Sequence, residues 1–115
     1  MAIYIRTHNP QRLLDSINKA IDNRDIVTWS RDDEGDYTIE REQWKFNAWM
    51  RPRTEEGRLI VAIVQSRKYP LTTELYGVYH GRFVSTIVAH FSNQITHIEI
   101  SPNPDSEYDV FEGGN

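Results

Sequence analysis

Two apolar runs dominate the pattern of hydrophobic and polar positions, one at 59–64 and the other at 83–91. Both are rich in β-branched residues and both are bounded by turn-forming residues, which is typical of strands. Neither run alternates between apolar and polar residues, as a strand with one solvated face does. We therefore predict that both are central strands of a sheet whose two faces need cover.

A helical pattern lies nearer the N-terminus. Asn9 is suited to cap a helix and Pro10 to its first position, because proline lacks the amide proton that this position leaves unpaired. The pattern predicts one amphipathic helix over 10–23 that packs on the sheet. Its apolar face consists of Leu13, Leu14, Ile17, Ala20 and Ile21.

Shorter segments predict further strands at 3–5, 26–30, 37–40, 44–51, 75–79 and 95–100. The pair His80-Gly81 suits a two-residue hairpin turn that leads into the run ending at residue 91. Asn93-Gln94, or the pair one residue earlier, suits a second turn. The predicted fold class is α+β, with one N-terminal amphipathic helix packed on a mostly antiparallel sheet of five to six strands.

Composition narrows the class of protein. The 115 residues include no cysteine, which excludes disulfides, thiolate metal sites and cysteine nucleophiles. No basic segment precedes an apolar one at the N-terminus, and no apolar stretch approaches about 20 residues. We expect a soluble, cytoplasmic chain with no membrane partner, built as one domain over 1–101 with a disordered, acidic tail over 102–115.

Charge is distributed unevenly along the chain. The net charge is −4, but 43–68 carry +4 while 22–42 and 99–115 carry −5 each. This balance disfavours wholesale wrapping of nucleic acid, which needs a basic surface. No nucleophile elbow, phosphate loop or dinucleotide fingerprint is present, and a pair such as Glu40 and Glu42 is expected by chance in an acidic chain. We predict a non-catalytic protein without a cofactor.

The leading functional prediction is binding to another protein. Asp32, Asp33, Glu34 and Asp36 crowd one turn, and such carboxylates suit the steering of a basic partner. An inhibitory or immunity-type protein that neutralises a basic partner, such as a nuclease toxin, fits this profile by analogy of class. The alternative interpretation of the same carboxylates is a solvated turn.

A second predicted binding surface is the outer face of the sheet. A register with Arg51 opposite Arg58 in the hairpin of 44–51 and 59–64, together with the turn at His80-Gly81, places an apolar field with arginine at its rim on this face, as binding surfaces have. The face then either binds a partner or a second copy of the chain, or is covered by the 26–40 hairpin or the tail. Its candidate residues are Trp49, Ile60, Val64, Tyr79, Arg82 and Val88.

Two alternative functions remain open. Aromatic residues alternate with cations over 44–68, which favours stacking of single-stranded bases by a module that uses Lys45, Trp49, Arg51 and Arg58. A small ligand or a metal ion is the third candidate. His90 and His97 face each other across the second predicted hairpin, and Glu99 follows two residues later as a third ligand.

Overall fold

One sheet and two helices make up the fold, as a computed structural model describes it for residues 2–103 and 108–114. Six antiparallel strands run in the order β2-β3-β4-β5-β1-β6, and a seventh, β7, pairs in parallel with β5. The α+β class is confirmed, whereas the predicted count of five to six strands is wrong, because the described residues form seven. The elements are β1 (Ala2–Arg6), α1 (Pro10–Asp22), β2 (Trp29–Arg31), β3 (Tyr37–Ile39), β4 (Ala48–Glu55), β5 (Arg58–Ser66), α2 (Thr73–Phe91), β6 (His97–Ile100) and β7 (Val110–Gly114).

Helix α1 forms where the sequence predicts it, although β1 precedes it and α2 is a second helix. The side chain of Asn9 accepts a hydrogen bond from the Arg12 N–H at 3.0 Å, and Pro10 occupies the first helical position. Leu13, Ile17 and Ile21 are buried against the sheet. Local signals at the helix start and one apolar face therefore define α1 without help from the rest of the chain.

Strand β5 is the centre of the sheet, and its apolar run Leu59–Val64 is buried on both faces. The predicted register, with Arg51 opposite Arg58, is wrong. Strand β4 continues through Pro52, so that Glu55 lies opposite Arg58 and only Glu56 and Gly57 form the turn, with a φ of 77° at Gly57. The shift is an even number of residues, which is why the predicted faces of β4 and β5 remain correct.

The predicted hairpin over 75–91 is wrong, because Thr73–Phe91 is one continuous helix that runs through His80-Gly81. The side chain of Thr72 caps it by accepting a hydrogen bond from the Leu75 N–H at 3.1 Å. The β-branched residues of the second half favour a strand only weakly, and burial along one helix face outweighs that preference. The buried residues of this face include Tyr76, Tyr79, Phe83, Ile87 and Phe91.

The segment 108–114 lies against the sheet, so the predicted disorder of the tail is wrong for these residues. Val110 pairs with Val64 and Gly114 with Ser66, with an irregularity between the two pairs. The carboxylate of the buried Asp109 accepts a hydrogen bond from the Ile63 N–H at 3.1 Å. The segment thus pairs with β5 beyond Ala62, the residue that lies opposite Ala2 at the start of β1. The rest of the predicted tail at 104–107 and 115 lies outside the described residues.

Both helices pack on the face of the sheet that carries Ile3, Ile5, Val61 and Ile63, and this layer is the main core. Neither helix of the described ranges has the length and apolar character that crossing a membrane requires.

Candidate functional site

A surface groove of about 370 Å³ lies where three segments of the chain meet. One segment is the turn after β2, another is the loop that leads into β4, and the third follows β5. We call it the aromatic groove, and its lining residues are Asp32, Lys45, Phe46, Trp49, Lys68 and Tyr69. Its size is at the lower end of the range of ligand pockets and suits a single side chain better than a large ligand.

Phe46 is the most unusual residue of the aromatic groove. Its φ of 63° lies in the left-handed region, which a bulky residue adopts only when its surroundings enforce it. Its ring is nonetheless 53% exposed, so burial of the ring does not explain the conformation. The ring stacks on Trp49, with centroids 6.2 Å apart and planes at 27°. The backbone therefore holds an aromatic side chain out at the surface.

A buried polar network enforces the conformation of this loop. The Phe46 N–H donates to Thr38 Oγ1 at 3.0 Å, and the same hydroxyl donates to the carbonyl of Ala48 at 3.1 Å. The hydroxyl of Tyr79 donates to the Trp44 carbonyl at 2.6 Å and lies 3.1 Å from Thr38 Oγ1. Burial raises the pKa of Tyr79, so this hydroxyl keeps its proton. Helix α2 thus fixes the loop that presents Phe46.

The remaining aromatic residues of the groove differ in exposure. Trp49 is only 3% exposed and forms the least accessible part of the lining, beneath Phe46. Tyr69 follows β5 and is 46% exposed. Large aromatic surfaces that remain in water on a small protein are typical of binding sites.

The two lysines of the groove have different surroundings. Lys45 Nζ lies 2.6 Å from a carboxylate oxygen of Glu40 and 5.1 Å from the centre of the Phe46 ring. The hydrogen bond from Lys45 holds the pKa of Glu40 below its ordinary value, so the pair stays ionised at neutral pH. Lys68 is exposed and makes no ion pair with the described residues.

The acidic turn beside the groove is ordered by its own carboxylates. Asp32 Oδ1 accepts hydrogen bonds from the N–H groups of Glu34 and Asp36, each at 2.9 Å, and Gly35 has a φ of 85°. The other oxygen, Asp32 Oδ2, is buried and has no hydrogen-bond partner within 2–103 and 108–114. Asp33 and Glu34 are exposed. The turn therefore presents carboxylates to solvent next to the aromatic groove.

The fourth carboxylate of the turn is used inside the protein. Asp36 is buried, and its two oxygens accept hydrogen bonds from Arg51 Nε and an Arg51 terminal nitrogen, each at 2.9 Å. This paired geometry is the strongest form of an arginine–carboxylate contact. Asp36 and Arg51 thus neutralise each other, and neither is free to bind a partner.

The four residues of the predicted nucleic-acid site do not form a basic strip. Arg51, Lys45 and Arg58 are each paired with a carboxylate, those of Asp36, Glu40 and Glu55 respectively. Arg58 is at the start of β5, where its guanidinium packs on Tyr4 at 5.2 Å. Trp49 is covered. Of the predicted four, only Lys45 and Trp49 line the aromatic groove.

The strand residues of the predicted outer-face surface are not exposed. Ile60 is fully buried beneath Tyr4 and Tyr108, whose rings meet edge to face at 6.0 Å. Val64 is buried where β7 pairs with β5. The Tyr108 hydroxyl donates to a carboxylate oxygen of Glu55 at 3.0 Å. The segment that includes Tyr108 is the alternative cover named above, and it closes the apolar part of this face.

The helix over 73–91 separates the other three residues of the predicted outer-face surface from the sheet residues. Tyr79 is buried in the main core, whereas Arg82 and Val88 are exposed on α2. These three residues therefore do not join Ile60 on the outer face of the sheet.

The predicted metal site also depended on a hairpin that is absent. His90 lies in the last turn of α2, and His97 and Glu99 lie on β6 opposite Arg6 and Tyr4. Within the described ranges, no group of three histidine, cysteine, aspartate or glutamate residues is placed to hold a metal ion. The predicted pairing of His90 with His97 across strands is wrong.

The four residues predicted for the nucleic-acid alternative do not include Phe46, Lys68 or Tyr69, although two of these three belong to the strip 44–68. The signal that was present is the repeated pairing of an aromatic residue with a cation, at 45–46 and 68–69.

Comparison with protein family models, with curated proteins and with solved structures finds no match for this chain.

Proposed function

We propose that this protein is a non-catalytic binding module that neutralises a basic partner protein, in the manner of an inhibitory or immunity-type protein. The observation that carries the proposal is the position of the acidic turn 32–36 directly beside the aromatic groove. Binding surfaces combine exposed aromatic residues with charges that complement the partner. Here both features occupy one small region.

The balance of free charges at this site supports a cationic partner. Of the two lysines in the lining, Lys45 is paired with Glu40, and Lys68 makes no ion pair with the described residues. Arg51, which lies outside the lining, is paired with Asp36. The adjoining turn carries the opposing charges of Asp32, Asp33 and Glu34, although Glu34 also lies 3.8 Å from the Arg51 guanidinium. The local field is therefore negative and attracts positive charge.

The same balance argues against the nucleic-acid alternative. Phosphate binding requires cations that are free to replace the counterions of the backbone. The ion pairs of Lys45, Arg51 and Arg58 occupy three of the four residues on which that alternative depends. The outer face is also unsuited to self-association, because Tyr108 packs over Ile60.

The proposal is tested with a fluorescent peptide in which arginine and lysine alternate with glycine, measured by anisotropy at low and at physiological salt. Asp33→Asn with Glu34→Gln removes two exposed charges and is expected to weaken binding about fivefold at low salt, with a smaller effect at higher salt. The matched control is Glu56→Gln with Glu99→Gln, which removes two exposed charges elsewhere.

Equal losses in the two double variants would mean that only net charge attracts the peptide, and the proposed site would be wrong. A single-stranded oligothymidine that binds more tightly than the peptide would favour the nucleic-acid alternative instead.

A further inference from the structure

We infer that the aromatic groove is a recognition site for an arginine side chain of the basic partner. This inference rests on the proposed function and adds to it the identity of the group that enters the groove. It assigns one occupant to a groove that the protein leaves open, lined by the exposed rings of Phe46 and Tyr69.

The rings of the groove already attract a cation within the protein itself. Lys45 Nζ lies 5.1 Å from the centre of the Phe46 ring, within the distance at which cations and aromatic faces attract each other. Phe46 in turn stacks on Trp49. Tyr69 lines the same groove and is 46% exposed. Of the three aromatic residues in the lining, Tyr69 is the one whose ring makes no contact with another ring or with a cation among the described residues.

The carboxylate of the lining favours a hydrogen-bond donor. Asp32 is the acidic residue among the six that line the groove, and its Oδ2 has no hydrogen-bond partner in the described part of the chain. A buried acceptor without a donor is costly and calls for an explanation. A guanidinium in the groove places a positive charge beside the Asp32 carboxylate, whose unpartnered Oδ2 is itself covered.

Arginine suits this site better than lysine. A guanidinium is planar and weakly hydrated, so it stacks on aromatic rings at a small cost of dehydration, whereas an ammonium is compact and strongly hydrated. Lys68 opposes any cation in the groove, but its side chain is exposed and long enough to turn its charge into solvent. Stacking on Tyr69 therefore selects for the flat cation.

The test compares two peptides that differ only in having arginine or lysine at the cationic positions. The arginine peptide is expected to bind about fivefold more tightly, and Tyr69→Ala to weaken its binding about tenfold. Tyr69→Phe keeps the ring and is expected to retain affinity within about twofold. Val88→Ala truncates an exposed apolar residue on α2, far along the chain from the groove, and is expected to have no effect.

The outcomes separate this inference from the function on which it rests. One outcome is that both peptides bind the wild-type chain equally, that Tyr69→Ala leaves their affinity unchanged, and that the Asp33 and Glu34 double variant binds them more weakly. In that case the inference is wrong and the proposed function stands. If neither peptide binds the wild-type chain, both are wrong. If oligothymidine binds and Tyr69→Ala abolishes that binding, the groove stacks bases and the inference is overturned.

Discussion

Two regions of this protein combine aromatic rings with cations and carboxylates, and only one of them is open. On the outer face of the sheet, Arg53 lies 5.6 Å from the centre of the Tyr108 ring and Arg58 5.2 Å from that of Tyr4. Glu55 accepts hydrogen bonds from both Arg58 and Tyr108. Each group of this cluster has a partner within the chain, and the cluster covers the apolar residues beneath it.

The aromatic groove contains the same kinds of residue with partners missing. Phe46 and Tyr69 remain about half exposed, and Asp32 Oδ2 has no hydrogen-bond partner among the described residues. The difference shows that aromatic and charged residues close together in the sequence do not by themselves define a binding site. What distinguishes a site is that the chain leaves its attractive groups without internal partners.

The largest expected effect on stability comes from a substitution in the closed outer face of the sheet. Ile60→Ala empties a fully buried position under Tyr4 and Tyr108, so the free energy of unfolding is expected to fall by about 2–5 kcal/mol. Tyr69→Ala in the open groove is expected to change it by no more than about 0.5 kcal/mol. Chemical denaturation of both variants measures the contrast. A loss below about 1 kcal/mol for Ile60→Ala would mean that the outer face is not closed.

A smaller effect is expected from the backbone of the groove. The φ of 63° at Phe46 costs about 1 kcal/mol or more for any residue with a Cβ atom, and glycine avoids this cost. Phe46→Gly is therefore expected to be more stable than Phe46→Ala by about 1 kcal/mol, although both lose the Phe46 ring of the proposed binding site. Thermal unfolding and peptide anisotropy together test this pair of variants. Equal stabilities would show that Phe46 does not hold the strained conformation.

The smallest effect concerns two glutamates, one in each region. Hydrogen bonds from Arg58 and then from Tyr108 hold the pKa of Glu55 below its ordinary value, while Lys45 does the same for Glu40. Each carboxylate therefore stabilises the fold above its unfolded pKa, and this contribution is lost as the pH falls through the folded pKa. Tyr108→Phe is expected to raise the pKa of Glu55 and leave that of Glu40 unchanged. Carbon-detected NMR titration measures both, and a shift at Glu40 would contradict the separation of the two regions.

Elements with local signals were predictable from the sequence. Asn9 and Pro10 define the start of α1 in advance, and the run at 59–64 identifies β5 as a central strand. The predicted faces of β4 and β5 are correct although the predicted register is wrong, because side chains alternate with a period of two and the shift is an even number of residues. The acidic turn was also identified, and the structure shows a positive φ at Gly35 within it.

Elements that depend on distant parts of the chain were not predictable in this way. Helix α2 forms because one face of it is buried by the sheet, which outweighs the preference of its β-branched residues for strands. The aromatic groove brings together residues from 32 to 69. The φ of 63° at Phe46 is not indicated by its residue type or by its neighbours in the sequence. The cover of the outer face likewise depends on Tyr108, which returns to β5 from the far end of the chain.

The central claim is that the open groove, and not the closed face, binds a cationic partner. Backbone amide chemical shifts measured during titration with the arginine peptide test it most directly. We predict that the shifts concentrate at 32–34, 45–49 and 68–69, and that Tyr69→Ala removes them. Shifts that concentrate instead around Tyr4, Arg53 and Tyr108, or that are spread evenly over all the acidic surface, would contradict the claim.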